Sequence, residues 1–489
     1  MRSTIKIVIL LFFICTSMSG ASFPDMEKYM RQHALIWEQL PMQWNEGAFL
    51  GNGLVGMMVY ADSTLNALVF HLGRPDVTDH RKAPYRKTSI GTEEADKMVD
   101  FCRLDVGKML LFPEGKILSG TFYLDIYNAE LTGHLKTDKG DLTFHAYTPQ
   151  PEEVNIVEVS SGVPYRWKGI PGNPCSPRIR VFPHLKEKLK YKDNPAPVVN
   201  QKDKEGSWVQ SLLAGGDYAT YWKEVPGGKS RSVLYVSTAN EVPASSLSLA
   251  KAMKTVEATQ ITGTKLLKQK TRQWWNAYHE RSFLSIPDKK LENFYFIQMY
   301  KLATCSHPDG PAMDVMGTFF KLSPWPSFWW NLNIQLTYMP IGPANRMEQG
   351  KNFQRLMDEV FPSLVRSIEP CKIGDYTWAL QNYYMYLRYA GADWQDIKQQ
   401  VVPKALDAFA VFDKILCYKE NTWHLTHIES PEYEGFQKYN DSNYGLASLS
   451  WLLQTLIACH DRTSSTHPDY ARWKEILTRL APYPTNENG

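Results

Sequence analysis

Trp325, Phe328, Trp329 and Trp330 crowd together directly ahead of Asn331 and Asn333, inside residues 322–344 (LSPWPSFWWNLNIQLTYMPIGPA). Flat apolar faces beside amides that both donate and accept hydrogen bonds suit a sugar ring, which offers C–H patches and hydroxyls together. Core packing competes with this reading, because Trp is highly buried on average. The flanking Pro324 and Pro326 make it harder to bury all four rings at once. Asn331 and Asn333 are two apart, so a regular helix would turn them to nearly opposite faces. They address one site only where the backbone is extended or just beginning a helix, and a plain helix N-cap is the structural alternative.

A second segment, residues 427–434 (HIESPEYE), presents Glu429, Glu432 and Glu434 close together. Pro431 disfavours helix at Ser430, so this is a loop. Crowded carboxylates with aromatic neighbours raise one another's pKa, as a general acid requires. A solvated acidic loop is the alternative.

The elements that must position these residues change character along the chain. Short β-branched and aromatic runs separated by Gly, Pro, Asn and Asp clusters predict a β-sandwich over residues 36–245. A Lys-rich stretch with helical spacing predicts a linker helix within 246–288, and residues 289–489 read as a helical domain. Paired helices with short connections imply stacked α-hairpins, whose loops meet at one concave end. The 489 residues, 43% apolar and 21% charged, exclude a disordered chain. Lys and Arg (54) nearly balance Asp and Glu (51), leaving no basic face for nucleic acid.

Arg2 and Lys6 ahead of an apolar run, then Ser19, Gly20 and Ala21, predict a cleavable signal peptide over residues 1–21 and a periplasmic or secreted protein. The run is too short for a stable membrane span, and Phe13-Ile14 before Cys15 fits a lipoprotein site poorly. Cys102, Cys175, Cys305, Cys371, Cys417 and Cys459 show no zinc-like spacing and read mostly as buried thiols. The sequence supports no metal and no cofactor.

Trp44 followed by Phe49-Leu50-Gly51-Asn52-Gly53-Leu54-Val55-Gly56, then Pro324-Trp325, Asn331-Leu332-Asn333-Ile334-Gln335 and Ser430-Pro431-Glu432-Tyr433, in that order, resemble the motifs of glycoside hydrolase family 95, the inverting α-L-fucosidases and their relatives. The resemblance runs from about Trp44 to Tyr483. It implies an N-terminal β-sandwich followed by an (α/α)6 toroid, and hydrolysis of terminal α-L-fucosyl or related residues of glycans. By the same resemblance Glu432 is the general acid, and Asn331 and Asn333 position the water. Trp325, Trp329 and Trp330 form the sugar-binding wall, with Asp375, Trp378 and Gln381 as further lining. Thr337, Tyr433 and Asn382 differ from the family's usual Asn, Asn and His, which leaves the sugar open. The family pattern also continues past the position of Gly489, where it supplies the Asp behind the base. The expectation is therefore an incomplete toroid without that Asp, which binds sugar but turns it over poorly or not at all; full activity would instead put the base within these residues, with Asp314, Asp375 and Asp441 the carboxylates to look at first. A phosphorylase on the same fold and a non-catalytic glycan-binding protein remain alternatives.

Overall fold

The computed structural model describes residues 25–81, 97–242, 247–429 and 437–486. The expected signal peptide, residues 1–21, lies outside them. The first half of the chain is antiparallel sheet, in strands β1 (Leu35–Trp37), β2 (Ala48–Gly51), β3 (Gly56–Asp62), β4 (Ala67–Gly73), β5 (Lys108–Pro113), β6 (Ile117–Asp125), β7 (Glu130–Thr137), β8 (Asp141–Tyr147), β9 (Val154–Ser161), β10 (Tyr165–Ile170), β11 (Val198–Gln201), β12 (Glu205–Ser211), β13 (Asp217–Gly228) and β14 (Arg231–Glu241). They form a nine-stranded sheet, β1-β6-β7-β8-β9-β14-β13-β12-β11, and a five-stranded sheet, β10-β5-β4-β3-β2. In β7 the period of two is explicit: Leu131, Leu135 and Thr137 are buried while Thr132, His134 and Lys136 are exposed. The two sheets meet through rings such as Phe70 of β4, 5.5 Å from Phe144 of β8.

Strand β4 is buried along its whole length, which means that both faces of the small sheet are covered. The large sheet covers one. The other meets the chain that follows residue 300: Phe49 packs against Tyr300 and Phe319, and His71 against Phe320.

Residues 246–288, expected as one linker helix, form two, α1 (Ser248–Thr262) and α2 (Thr264–Glu280). Gly263, at φ +80°, ends the first and donates its N–H to the Thr259 carbonyl. Both lie on the outer face of the large sheet, Ala252, Val256 and Leu267 packing with Tyr147, Ile156, Tyr221 and Tyr235.

The rest is mainly helical: α3 (Lys289–Cys305), α4 (Asn333–Tyr338), α5 (Lys351–Glu359), α6 (Phe361–Val365), α7 (Ile373–Tyr389), α8 (Trp394–Gln400), α9 (Val402–Phe412), α10 (Asn443–Arg462) and α11 (Tyr470–Thr478). Runs that read as single helices are broken at Val360 and Val401, just ahead of Pro362 and Pro403, because Pro offers no N–H and crowds the preceding turn. Two antiparallel hairpins interrupt the helices: β15 (Leu416–Lys419) with β16 (Thr422–Leu425), and β17 (Ile428–Glu429) with β18 (Lys438–Tyr439).

The Gly51-Asn52-Gly53 stretch joins the two halves rather than doing chemistry. Asn52 is fully buried; its amide nitrogen donates to the Pro149 and Glu152 carbonyls, and its oxygen accepts from the N–H groups of Leu54 and Val55. Gly53, at φ +82°, lies so close to Ser306 that a Cβ there would stand 2.3 Å from the Ser306 carbonyl carbon. Gly53→Ala combines left-handed strain with overpacking against backbone, so it should destabilise by at least about 2 kcal/mol. A urea titration checks this, and an unchanged midpoint would show that the two halves are not clamped here.

Candidate active site

Residues 306–332 join α3 to α4 without regular structure, and side chains from the sheet region hold them. Arg103 donates its main-chain N–H to the Pro326 carbonyl (2.6 Å) and its guanidinium to Asp314 (3.1 Å) and the Gly317 carbonyl (2.6 Å). Arg178 donates to the Pro324 carbonyl and lies 5.1 Å from the Trp325 ring. So anchored, Trp325 remains 40% exposed. Its edge-on neighbour Trp329 and the following Trp330 are buried, the latter among Phe328, Phe361 and Tyr376. Of the three indoles expected as a sugar-binding wall, Trp325 alone is exposed; Trp329 is buried edge-on against it, and Trp330 fills the packing between this segment and α7.

At the asparagines the chain makes a γ-turn. The Asn333 N–H donates to the Asn331 carbonyl at 2.6 Å, across Leu332 at φ +59° and ψ −51°. This hand of γ-turn is rare and strained, and for a branched residue such as Leu a positive φ is an outlier. Strain of this kind persists only where surrounding structure enforces it, and it clusters at functional sites. The requirement for a non-helical backbone between the two asparagines is met, with Asn333 opening α4. Asn331 is buried, its Oδ1 without a hydrogen-bond partner among the described residues, whereas Asn333 is exposed.

Gln335, fully buried on α4, fixes this turn to α7. Its side-chain amide donates both to the Trp330 carbonyl and to the Asp375 carbonyl, the latter at 2.9 Å. Asn382, farther along α7, donates in turn to the Gln335 carbonyl (2.6 Å). Asp375 sits in the first turn of α7, and its Oδ1 accepts the Tyr444 hydroxyl at 2.6 Å from α10. Burial pushes this carboxyl up to about 7; the Tyr444 hydrogen bond opposes the rise, Glu429 adds to it, and Lys372 counters weakly. Burial and Asp375 also raise the Tyr444 phenol.

Glu429 reaches this neighbourhood on the β17–β18 hairpin, 3.9 Å from the Cys371 thiol just ahead of α7. That hairpin carries residues 430–436, so the expected acid Glu432 lies outside the described residues. Trp378 and Gln381 are half-buried on α7. The other two carboxylates weighed as bases are occupied structurally. Asp314 holds Arg103 and accepts the Met316 N–H (2.8 Å), and Asp441 binds His424 (2.7 Å) and the Leu425 N–H (2.8 Å). Tyr444 was not singled out by sequence, and Gln335 was legible only as part of the Asn331-to-Gln335 motif, with no local signal for this role. Elsewhere, a cavity of about 580 Å³ between the halves is lined by Arg74, Glu153, His307 and Arg355 among others, and shares no residue with this site. Its arginines are engaged, Arg74 with Asp76 and Glu153 and Arg355 with the Pro308 and Gly310 carbonyls.

No family model and no curated protein sequence matches the chain. Among solved structures it is similar to a protein assigned as a kojibiose phosphorylase from the human microbiome, with a TM-score of 0.58 and 9% identity over 88% of this chain and 66% of that one. Looser likenesses, which carry no argument, are to a bacterial glucoamylase complexed with acarbose (TM-score 0.49, 9% identity, 91% of this chain and 69% of that one) and to a GH92 α-mannosidase from Bacteroides thetaiotaomicron (0.35, 8%, 88% and 61%). The chain spans just under two thirds of the phosphorylase-type chain. At this identity the likeness establishes the fold alone, a sheet-rich N-terminal region followed by helices.

The raised carboxyl has a consequence for stability. In the unfolded chain Asp375 titrates near its ordinary 3.8, against about 7 when folded. Between roughly pH 4 and pH 7 the folded chain holds the extra proton, so stability falls as pH rises through that window. Asp375→Asn should therefore gain in Tm over the wild type as pH goes from about 4 to about 8. A gap in Tm that stays constant with pH would show that Asp375 titrates normally.

Proposed function

We propose that this protein is an inverting glycoside hydrolase acting on terminal α-L-fucosyl or related sugar residues of glycans, on a helical domain of the (α/α)6 kind. One observation carries the reading. Gln335 ties the strained asparagine turn, which follows Trp325 in the same segment, to the main chain of Asp375, whose half-buried carboxyl lies near Glu429. An aromatic face, amides and carboxyl groups on two elements are the ingredients of sugar cleavage, and the fold likeness agrees with it.

In this mechanism Trp325 stacks on the sugar, with Trp378 and Gln381 lining the same side. Glu432 gives its proton to the leaving oxygen while Asn331 and Asn333 orient water on the opposite face. An inverting pair leaves about 6.5–9.5 Å for that water. A signal peptide over residues 1–21 would deliver the enzyme to the periplasm or outside the cell, where glycans are met. Phosphorolysis is the second reading, favoured by the likeness to a kojibiose phosphorylase. A glycan-binding protein without turnover is the third.

Proton NMR of the full chain acting on 4-nitrophenyl α-L-fucoside and α-L-galactoside separates them. Hydrolysis with inversion releases the β-anomer first and needs no phosphate. Sugar 1-phosphate formed only with added phosphate would replace the hydrolase reading with the second. Glu432→Gln should lower turnover by about 10²–10⁴, and unchanged activity in that variant would remove Glu432 as the acid.

A further inference from the structure

We propose that the exposed cations of residues 177–194, beside Trp325, hold anionic groups of the glycan, so that the glycan class this protein takes is acidic, bearing sulfate or uronate groups. This rests on the reading of the site as one for sugar cleavage. Residues 171–197 form the long connection between β10 and β11. A connection of that length inside a compact fold is commonly functional. Within it Arg178, Arg180, Lys186, Lys188, Lys190 and Lys192 outnumber Glu187 and Asp193, in a chain whose charges are otherwise nearly balanced.

The segment is anchored by a core of its own. Ile179, Leu185 and Tyr191 turn inward and pack with Val99. The Tyr191 hydroxyl donates to the buried Asp79 (3.0 Å), and the side-chain amide of Asn194 donates to the same carboxylate (3.1 Å). With those side chains committed inward, Lys186, Lys188, Lys190 and Lys192 all stand exposed. Lys186 pairs with Asp193 at 2.7 Å, while Arg180, Lys190 and Lys192 make no ion pair with any described residue. Cations on an anchored segment present a preformed field to an anion.

The same segment is joined to the exposed indole. Arg178 donates to the Pro324 carbonyl, and its guanidinium lies 5.1 Å from the Trp325 ring and 4.9 Å from the Phe182 ring. The exposed His184 follows, its ring 6.2 Å from that of Phe182, and the lysines begin two residues later. Steps of this size bring the first lysines within reach of a short oligosaccharide seated on Trp325. Helix α2 is the contrast: it is also rich in cations, but Glu158 and Glu130 of the large sheet take its Lys268 and Arg272. A nucleic acid would need a more extended basic face than this nearly balanced chain offers.

The test is calorimetric titration of the full chain at low salt with four probes. They are a sulfated α-L-fucan oligosaccharide, the same oligosaccharide after desulfation, an oligogalacturonate of equal length and an oligothymidylate of equal charge. One acidic glycan should bind at least about tenfold more tightly than the desulfated one, and the difference should vanish at about 1 M salt, where charges are screened within about 3 Å. Preference for the sulfated form assigns sulfate; preference for the oligogalacturonate assigns uronate. The triple variant Lys186→Gln, Lys190→Gln, Lys192→Gln should lose about tenfold in affinity for that acidic glycan and nothing for the desulfated one. The control Lys254→Gln, Lys265→Gln, Lys270→Gln removes the same charge from α1 and α2 and should lose nothing. Equal affinity for acidic and desulfated forms, no greater loss in the first triple variant than in the control, or oligothymidylate binding as tight as the acidic glycan overturns the inference. Binding is read without turnover, so the two readings fail separately. Cleavage of a neutral aryl α-L-fucoside without acidic preference leaves the hydrolase reading intact, whereas lysine-dependent binding of the acidic glycan with no glycoside cleaved upholds this surface and overturns the hydrolase reading.

Discussion

The side-chain amide of Gln335 is the constraint on which the site turns. It is buried and shared between the Trp330 and Asp375 carbonyls, which belong to elements that nothing local in sequence would bring together. Each such hydrogen bond contributes only about 1 kcal/mol net, but leaving its buried carbonyl unpaired costs about 1–3 kcal/mol. The arrangement is therefore enforced by what its loss would expose. That enforcement is what can hold Leu332 at φ +59°.

The sheet region is part of the same construction. With β4 buried on both faces, the small sheet is an inner layer between the large sheet and the crossing segment. Arg103 and Arg178 reach from that region to the Pro326 and Pro324 carbonyls. They fix where the segment leaves the sheet, and so keep one face of Trp325 open while Trp329 and Trp330 turn inward. The site thus depends on both halves, although the carboxyl groups come from the helical one.

Much of this was legible in the sequence where the cause is local. The change from alternating to helical spacing marks the passage from sheet to helix, and the two-residue separation of Asn331 and Asn333 lets both address one site only with a non-helical backbone of the kind found between them. The breaks at Pro362, Pro403 and Gly263 were not anticipated, since the apolar spacing runs on through all three. The β15–β16 hairpin was not anticipated, because its strands are four residues each; the turn signal was Asn421, which adopts φ +65° beside Glu420 at +51°. What escaped sequence reading depends on distant partners. Asp375 and Tyr444 are 69 residues apart, and the burial of Trp330 depends on Tyr376 and Phe361. The Gly51-Asn52-Gly53 stretch, legible as a motif, is a structural joint.

The central claim is that the asparagine turn, Asp375 and the hairpin face a single sugar site. A crystal structure of the chain soaked with a 6-deoxy iminosugar, a cationic mimic of the developing sugar charge, tests it most directly. The account predicts a ring stacked on Trp325, with Asn331 or Asn333 and the Asp375 carboxyl within about 3.5 Å of its polar atoms. An iminosugar seated instead in the cavity between Arg74 and Arg355, with the asparagine turn and Asp375 untouched, would contradict it.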